Sequence, residues 1–516
     1  MTTTTGLIGA LARACKQNAT RVALEDGERH WTFEQVATRV AELTASIERA
    51  APADTSLVPV YADRSPTAAI AMAAVLASGR AYLRLDPRDP AERTRAILRS
   101  AGCSVLATDR DVEKRLREQV LSGLRCEYSV VSIDRSTSGG SAPRLEPLPA
   151  DWDAPASVHY AAGSGEPYGV AITRASLSAA LRALSGRLAL SRDDLVLAQA
   201  DPSSDHELPE YLLAWEVGAR VCCPPKEQSL LPLNYVRERG ITAWFLAPSR
   251  AAYLDALGVL APGLLPSLKR TFFTGELMTS DLARRWSATA PNSELDVFYG
   301  PADAPGACTA YRWDSVASPN ECEDGVLPLG QLLPGLTGRI VDSEGRELPA
   351  GVPGELVLQG PQITGGLPRR SEPRADAFLQ PLGRREEFLR TGDLVRRDRH
   401  GLLLHEGRVD QQLRVRGFRV ELAEVERHLS EASGGAVAVA IGWPMTARGA
   451  DGIVAFVEST AFEPAAVRRA LRSRLPRYMI PQKIVMLPSL PRTPSGQLDR
   501  GRLRVRTADC PTGLTG

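Results

Sequence analysis

Lysine is scarce in this chain of 516 residues, because only five of its 62 basic side chains are lysines and the rest are arginines. A reaction that needs a lysine ammonium group therefore has few candidates: Lys16, Lys114, Lys226, Lys269 and Lys483. Net charge is also nearly absent, since 61 acidic residues leave a formal charge of +1. This balance favours neither a nucleic-acid partner nor a polybasic membrane anchor.

Metal-binding cysteine motifs and long apolar segments are missing as well. The eight cysteines include no CxxC and no Cys/His cluster at metal spacing, which predicts reduced, mostly buried thiols in a cytoplasmic protein. The N-terminus has no basic segment followed by a long apolar run. The longest nearly apolar stretch, 68–77, is shorter than the ~18 residues that span a bilayer. We therefore expect neither a secretory signal nor a membrane span.

The length and composition predict a folded protein with more than one domain. Hydrophobic residues make up 43% of the chain and charged residues 24%, which is typical of globular proteins. Domains usually contain ~100–200 residues. We therefore expect a large composite domain and at least one smaller one.

Strands and helices are predicted to alternate from the N-terminus to about residue 300. Apolar segments predict strands at 57–61, 80–85 and 104–108, with helices predicted at 31–49, 66–77 and 91–100. The last of these helices follows a strong start signal, Asp-Pro-Ala-Glu at 89–92. A second alternating run covers 155–300. This order predicts mostly parallel, doubly wound sheets.

The pattern changes in the last third of the chain. Short strands at 338–342 and 354–359 with Gly/Pro turns predict a β-rich subdomain over about 326–409. Beyond residue 410 we predict a strand at 412–420, helices at 423–433 and 464–475, and strands at 437–442 and 453–458. The expected domains are therefore 1–409 and a compact α+β domain over 410–516.

Several motifs occur in a characteristic order and spacing. They are GRAYLRLDP at 79–87, YGP at 299–301, GEL at 354–356, LRTGDL at 389–394 and GRVDQQLRVRGFRVE at 407–421. Together they resemble AGxAYxPLDP, YGPTE, GEL, YRTGDL and GRxDxQVKIRGxRIE of the adenylate-forming superfamily, which includes acyl- and aryl-CoA synthetases and luciferases. The resemblance is closest to the amino-acid adenylation domains of non-ribosomal peptide synthetases.

The resemblance implies a fold and a reaction. The fold is α/β: a large N-terminal domain of two doubly wound αβ subdomains plus a β-rich subdomain, followed by a small mobile α+β C-terminal lid. In the reaction, ATP and a carboxylic acid, here an amino acid, give an acyl-adenylate with magnesium. A carrier-protein thiol then takes the acyl group.

The resemblance also assigns the nucleotide contacts. Asp393 and Arg408 match residues that hold the ribose of AMP, Tyr299 and Gly300 belong to the nucleotide site, and Asp410 matches the hinge. The residue types agree with this, because an Asp accepts two hydrogen bonds from a diol and an Arg supplies a cation. The alternative is that Asp393 merely forms a turn in Thr-Gly-Asp.

The phosphate loop departs from the family motif YTSGSTGxPKG. Here the segment 160–169 is YAAGSGEPYG, in which two hydroxyl positions are alanine, one Thr is deleted and the lysine is Tyr168. Gly163, Ser164 and Gly165 keep backbone amides for an anion, but the positive charge is lost. Either the phosphate site is weakened or the segment is a turn without a phosphate role.

The magnesium and lid motifs depart as well. In YGPTE the Thr is Ala302, and the Glu, a magnesium ligand, is Asp303, which leaves Asp303 as either a possible magnesium ligand or an ordinary loop carboxylate. The motif NGKxDR, whose lysine bridges the substrate carboxylate and the α-phosphate, is SGQLDR at 495–500. Gln497 replaces that lysine. A neutral amide supplies no unit charge, which predicts a loss of 10²–10³ in rate, about a few kcal/mol.

The amino-acid pocket is better preserved. SDHELPE at 204–210 resembles FDxSxxE, whose Asp pairs with the α-ammonium group, so Asp205 is the candidate partner, or alternatively a helix N-cap. Counting from the motifs, the pocket is lined by His206, Pro209, Phe245, Phe272, Thr274, Phe298, Gly306 and Ala307. Three phenylalanines predict a small or filled pocket, and each is equally consistent with an ordinary core residue.

Two functions remain open at this point. Only a short segment follows Arg500 and no condensation domain precedes residue 30, which predicts a free-standing protein of non-ribosomal-peptide-type specialised metabolism. It is either an amino-acid-activating ligase with impaired chemistry that serves a carrier protein in trans, or a pseudoenzyme that binds AMP, an acyl-adenylate or a partner protein. A small adenylation-domain chaperone is a further expected partner.

Overall fold

The computed structural model describes residues 6–27, 29–134, 145, 151–161, 168–199, 207–301, 304–364, 378–380, 386–409, 412–446, 449–459, 463–492 and 498–508. The chain forms two compact units. The first unit is Met1–Pro87, Ala101–Tyr160 and Gly169–Val409, and the second is Arg88–Ser100, Ala161–Tyr168 and Asp410–Gly516.

The first elements along the chain alternate as the sequence predicts. They are α1 Leu7–Gln17, β1 Val22–Asp26, β2 Arg29–Thr32, α2 Phe33–Ala50, β3 Leu57–Tyr61, α3 Pro66–Ala77, β4 Ala81–Leu85, α4 Ala91–Ala101, β5 Val105–Thr108, α5 Arg110–Arg115, β6 Ser129–Ser132, β7 Pro155–Ala161 and β8 Tyr168–Thr173. Strands β3 to β8 form a six-stranded sheet in the order β6-β5-β3-β4-β7-β8. Its pairs β6–β5, β5–β3, β3–β4 and β4–β7 are parallel.

A second sheet has nine strands. The next elements are α6 Arg174–Leu188, β9 Leu195–Leu197, α7 Glu207–Glu216, β10 Arg220–Cys223, α8 Leu233–Arg239, β11 Ala243–Leu246, α9 Pro248–Ala256, β12 Arg270–Thr274, α10 Ser280–Thr289, β13 Glu294–Tyr299, β14 Thr309–Arg312, α11 Ser318–Glu321 and β15 Gln331–Leu332. The order is β15-β14-β13-β12-β11-β9-β10-β1-β2, with parallel strands from β13 to β1 and antiparallel pairs at both edges.

The β-rich subdomain of the first unit is a five-stranded sheet. Its strands are β16 Thr337–Val341, β17 Gly354–Gln359, β18 Phe378–Leu379, β19 Phe388–Arg397 and β20 Leu403–Arg408. The described pairs are antiparallel, with β19 between β17 and β20.

The second unit holds the C-terminal elements. They are β21 Gln412–Val415, β22 Phe418–Glu421, α12 Leu422–Ala432, β23 Ala438–Gly442, β24 Met445–Thr446, β25 Gly449–Ala450, β26 Ile453–Glu458, α13 Pro464–Arg472, β27 Lys483–Leu487 and α14 Arg500–Ala508. These strands form one sheet of four and one of three. The predicted architecture, two large α/β sheets and a β-rich sheet followed by a small α+β C-terminal part, agrees with these elements.

Local sequence explains the well-predicted elements. Helix α3 is buried almost all round, and it starts where the Ser65 side chain accepts a hydrogen bond from Ala68 N and Pro66 occupies the first turn. Strand β3 is buried at every position, as expected for an inner strand of a parallel sheet. Both lie in one core cluster that joins the six- and nine-stranded sheets.

Three element predictions need correction. The helix predicted at 464–475 ends at Arg472, where the N–H of the C-cap Ser473 donates to Ala470 O. The helix predicted at 31–49 begins at Phe33, because Thr32 has extended backbone and its side chain caps the helix with Gln35. The strand predicted at 412–420 is a hairpin. Arg416 (φ 50°) and Gly417 (φ 89°) both adopt positive φ, which reverses the chain between β21 and β22.

The sequence predicts reduced, mostly buried cysteines and no membrane-spanning helix. Among the described residues, no disulfide joins two cysteines; Cys15, Cys103, Cys222, Cys223 and Cys308 are buried, whereas Cys126 is exposed and Cys322 is half-buried. Within the described ranges, no helix combines the length and apolar character needed to cross a membrane.

Candidate functional site

A buried carboxylate, Asp393 of β19, is the centre of the best-defined polar cluster among the candidate residues. Arg408 Nη1 donates to its Oδ1 at 2.6 Å, and the Tyr299 hydroxyl donates to its Oδ2 at 2.5 Å. The His405 Nε2 atom lies 3.7 Å from Oδ1. Asp393 is only 6% exposed. The structure thus brings together Tyr299, Asp393 and Arg408, three residues that the sequence motifs single out.

Strand pairing explains why these side chains meet. Asp393 stands directly opposite Arg408 in the antiparallel pair β19–β20. The preceding Gly392 has φ 71° and donates its N–H to the buried Glu355 carboxylate. Thr391 Oγ1 accepts from Asp393 N and donates to Leu356 O. The Thr-Gly-Asp motif is therefore an irregular part of strand β19, and its hydrogen bonds fix the position of Asp393.

The cluster keeps its carboxylate ionised. Burial alone would raise the pKa of Asp393, but the neighbouring His405 side chain, the charge of Arg408 and the hydrogen bond from Tyr299 lower that pKa below its ordinary value. Burial and the neighbouring Asp393 carboxylate raise the pKa of the Tyr299 hydroxyl well above normal, so it stays a donor. Each carboxylate oxygen has a second lone pair, so Asp393 still has acceptor capacity for a diol.

Gly300 lies beside this cluster, directly after β13. A Cβ on Gly300 would come within 3.2 Å of Ala307 Cα and 3.3 Å of Cys308 N, so a larger residue would push the turn apart. Cys308 N donates to Tyr299 O at 2.6 Å, which closes the turn. The segment that follows Gly300 and contains Asp303, the candidate magnesium ligand, lies outside the described residues.

The three candidate pocket phenylalanines form one row. Phe245, Phe272 and Phe298 lie on the neighbouring strands β11, β12 and β13, and the ring centroids are 4.7 Å apart for the first pair and 6.1 Å for the second. Their exposures are 6%, 0% and 3%. These rings therefore belong to the core at this point, as the alternative interpretation of the sequence allowed.

The other described pocket candidates lie around the same sheet. Thr274 ends β12 and is half-buried. Gly306 has φ 76°, and a Cβ there would meet Leu184 Cδ1 at 3.0 Å. Pro209 is buried in α7. Asp205 and His206, which precede α7, lie outside the described residues.

The lid motif is described only on its C-terminal side. Arg500 binds the Glu426 carboxylate with both Nη atoms, Nη1 to Oε1 at 2.7 Å and Nη2 to Oε2 at 2.9 Å. Leu498 forms a backbone bridge with Arg492, and Asp499 Oδ1 accepts from Arg502 N in the first turn of α14. Gln497 and the hinge candidate Asp410 lie outside the described residues.

The phosphate-loop candidates are likewise only partly described. Gly163, Ser164 and Gly165 lie outside the described residues, and Tyr168 is described only as the first backbone position of β8. Within the described part of the chain, no group of three or more His, Cys, Asp or Glu side chains could hold a metal ion.

Sequence reasoning missed two members of the site region. His405 contacts Asp393 from β20, and a signal for it existed, since it stands three positions before the motif residue Arg408. Glu355 belongs to the GEL motif, but its bond to Gly392 depends on the β17–β19 pairing, which no local pattern reveals.

Comparison with known proteins agrees with the fold and the motifs. A family model described as AMP-binding enzyme matches residues 11–367, and one described as AMP-binding enzyme C-terminal domain matches residues 424–497. Phosphinothricin tripeptide synthetase PhsC of Streptomyces viridochromogenes is 32% identical over 96% of this chain, which spans 45% of that relative's length.

Two further relatives match over most of both chains. The L-allo-isoleucine:holo-[CmaA peptidyl-carrier protein] ligase of Pseudomonas savastanoi pv. glycinea is 29% identical, over 95% of this chain and 81% of its own length. The Vibrio cholerae adenylation domain AlmE, solved in complex with glycyl-adenosine-5'-phosphate, shares the fold with a TM-score of 0.83 at 22% identity, covering 99% of each chain. The chain therefore belongs to the AMP-binding enzyme family, the adenylate-forming superfamily, and is similar to its non-ribosomal peptide synthetase adenylation domains.

Proposed function

We propose that this protein binds an amino acid as its adenylate, forms that adenylate from ATP only slowly, and serves a carrier protein. The observation that carries the proposal is the Asp393 cluster. Its ionised carboxylate keeps acceptor capacity for the two ribose hydroxyls, and Arg408 adds a cation beside them. These are the groups that a nucleoside monophosphate requires.

The slow adenylation step follows from the lost lysines. Tyr168 and Gln497 stand where the family motifs have lysine, so two charges that would stabilise the triphosphate and the pentavalent phosphorus are absent. Arg500, three residues after Gln497, offers no ready replacement, because both of its Nη atoms bind the Glu426 carboxylate.

The cofactors and partners follow from the same proposal. ATP and AMP are the nucleotides, with weak or altered use of ATP, and Asp303 is the proposed magnesium ligand. The carrier protein is proposed because one relative is a peptidyl-carrier-protein ligase by name. We further propose a small chaperone of adenylation domains as a partner, and the cytoplasm as the location, which suits the buried cysteines without a described disulfide.

Two measurements test this function. Calorimetry with an aminoacyl-sulfamoyl adenosine, a non-hydrolysable adenylate mimic, is expected to show binding. Amino-acid-dependent exchange of pyrophosphate into ATP is expected to be far slower than the order of 1 s⁻¹ of ordinary enzymes. Exchange at ordinary rates would refute the impairment, and no binding of mimic or AMP would refute the adenylate site.

A pseudoenzyme without any adenylation is the second candidate. The row of Phe245, Phe272 and Phe298 favours it, because rings that are 0–6% exposed leave little room for a side chain at this point. Binding of the mimic with no exchange for any of the standard amino acids would select this candidate.

A further inference from the structure

A β-bulge brings a histidine to the face of the β-rich sheet that carries Asp393. Arg408 of β20 pairs with Asp393 of β19. His405 pairs with Val395 after a register shift that leaves one extra residue in β20. In a regular strand, residues three positions apart lie on opposite faces. The extra residue cancels this alternation, so His405 lies on the same face as Arg408.

His405 faces the Asp393 carboxylate at a distance that is too long for a direct hydrogen bond. The His405 Nε2 atom lies 3.7 Å from Asp393 Oδ1, whereas N–H···O hydrogen bonds end at about 3.2 Å. The two side chains are 17% and 8% exposed, so the pair is not sealed in the core. A polar contact longer than about 3.5 Å is often bridged by an oxygen atom that bonds to both groups. The geometry of this pair suits such an oxygen.

The two oxygens of Asp393 have different neighbours. Oδ1 accepts from Arg408 Nη1 at 2.6 Å, and Oδ2 accepts from the Tyr299 hydroxyl at 2.5 Å. Because a carboxylate oxygen can accept two hydrogen bonds, each oxygen keeps acceptor capacity for one more donor. The two remaining acceptor positions are not equivalent, since only the one on Oδ1 adjoins an imidazole.

A group that bonds to both His405 and Asp393 must donate and accept at the same time. The ionised carboxylate only accepts, so the bridging group donates to it and the imidazole Nε2 must donate in turn. A hydroxyl meets both demands, because it has one O–H donor and two lone pairs. An ammonium group only donates and a carbonyl oxygen only accepts. The pair therefore selects a hydroxyl, and a ribose offers two of them on adjacent carbons.

We propose that His405 and Asp393 together bind one ribose hydroxyl of the adenylate, which makes the site selective for ribonucleotides over deoxyribonucleotides. The inference rests on the proposed function and adds a specificity-determining residue to it. One hydroxyl donates to Asp393 Oδ1 and accepts from His405 Nε2, and the other hydroxyl donates to Oδ2 without help from an imidazole. His405 therefore distinguishes the two hydroxyls from each other.

Three probes that differ only in the ribose test this role: AMP, 2'-deoxy-AMP and 3'-deoxy-AMP. Calorimetry gives the dissociation constant of each deoxy analogue relative to that of AMP, which we call the hydroxyl penalty. Wild type is expected to show a penalty of about tenfold or more for each analogue, because each missing hydroxyl removes a bond to an ionised carboxylate. These ratios do not depend on how stable a folded variant is.

The decisive variants are His405→Asn and His405→Gln, which differ by one methylene. The Gln amide nitrogen reaches about as far as the imidazole Nε2, whereas the Asn amide nitrogen ends short of it. His405→Asn is expected to reduce the penalty of one analogue by about three- to tenfold, the size of one hydrogen bond, and to leave the other penalty unchanged. His405→Gln is expected to keep both penalties within about twofold of wild type.

Two further variants complete the experiment. His400→Asn is the matched control, because His400 is exposed in the turn between β19 and β20 and its Nε2 accepts from Arg399 Nε. It is expected to change neither penalty. His405→Phe keeps a planar ring without a donor, and it is expected to behave like His405→Asn, so it decides the matter if His405→Asn does not fold.

The outcomes separate this inference from the proposed function. Unchanged penalties in His405→Asn would mean that no ribose hydroxyl bonds to His405, and an equal fall of both penalties would mean that His405 merely supports the Asp393 carboxylate. Either result, or loss of one penalty in His405→Gln, overturns the role of His405 and leaves the adenylate site intact. If wild type binds none of the three probes, or binds them equally, the ribose role of Asp393 falls as well.

Discussion

The β19–β20 strand pair and the lid motif at 495–500 differ in which residues of the family motifs they retain. The strand pair carries Asp393 and Arg408. In the β19–β20 pair, the motif residues and their mutual contacts are both present. In the lid motif, Arg500 at the start of α14 binds Glu426, but the position where the family motif has its lysine is Gln497. A motif can thus keep a supporting contact, here between Arg500 and Glu426, while a neutral side chain replaces its lysine.

The retained and the replaced motif residues correspond to different parts of the nucleotide. In the family motifs the conserved pair serves the ribose, whereas the replaced residues serve the phosphates and the reacting carboxylate. The proposed function, in which the ribose contacts are kept and the phosphate contacts are lost, favours a ligand with little negative charge beyond the first phosphate. The predictions below try to break this contrast, from the largest expected effect to the smallest.

Restoring both lysines is expected to give the largest change. Gln497→Lys combined with Tyr168→Lys and a repaired phosphate loop should raise pyrophosphate exchange by about 10²–10³-fold. Gln497→Lys alone should raise it much less, because both defects act on the same triphosphate and are coupled. If the single change restores full activity, the phosphate loop is not limiting and its departures from the motif have no functional weight.

Removing the charge of Asp393 is expected to weaken binding of the adenylate mimic about 100-fold. Asp393→Asn keeps the shape but loses acceptor strength and the negative charge that Arg408 binds. Asp398→Asn is the matched control, since the Asp398 carboxylate only accepts backbone N–H groups in the turn between β19 and β20. Equal affinities of the two variants, measured by calorimetry, would exclude Asp393 from the nucleotide site.

The scaffold of the lid motif is tested by stability instead. Arg500→Ala is expected to reduce the free energy of unfolding by about 1–3 kcal/mol, because it strips two bonds from the half-buried Glu426 carboxylate. Arg502→Ala should cost no more than about 0.5 kcal/mol, since that side chain is exposed and its Nε lies 3.5 Å from Asp499 Oδ2. Denaturant unfolding decides. Equal losses would mean that Arg500 is not the anchor.

The smallest effect concerns pH. The pKa of Asp393 is lowered in the folded protein, so its contribution to stability is fully present above the unfolded pKa of about 3.9 and is lost as pH falls through the lower folded value. The difference in unfolding free energy between wild type and Asp393→Asn should therefore be constant from pH 8 to about 5 and shrink below about 4. A difference that fades near pH 6 would contradict the ionised cluster.

Sequence predicted the inner elements of the fold well and the turns less well. Strand β3 and helix α3 have the predicted bounds, because their apolar runs are bounded by clear start and stop residues. The prediction of a single strand at 412–420 is wrong, because the chain turns at Arg416 between β21 and β22. Nothing in the local sequence indicates that Arg416 adopts φ 50°. Positive φ at a non-glycine residue is set by its surroundings.

The candidate site shows the same limit. The motifs singled out Tyr299, Asp393 and Arg408, but the distances between them arise from pairing of strands far apart in sequence. The buried ion pair of Arg84 and Glu207 could not be predicted either, because 123 positions separate the two residues and no local pattern links them. Roles for Gln497, Asp205 and Asp303 stay predictions, since these residues lie outside the described part of the chain.

Calorimetry that compares ATP with an aminoacyl-sulfamoyl adenosine tests the central claim most directly. ATP brings two more phosphates to a loop that has Tyr168 in place of lysine and carries Glu166, so their desolvation is poorly compensated. The mimic lacks these phosphates and uses the Asp393 cluster. We expect the mimic to bind at least about tenfold more tightly than ATP. Equal or tighter binding of ATP would contradict the account.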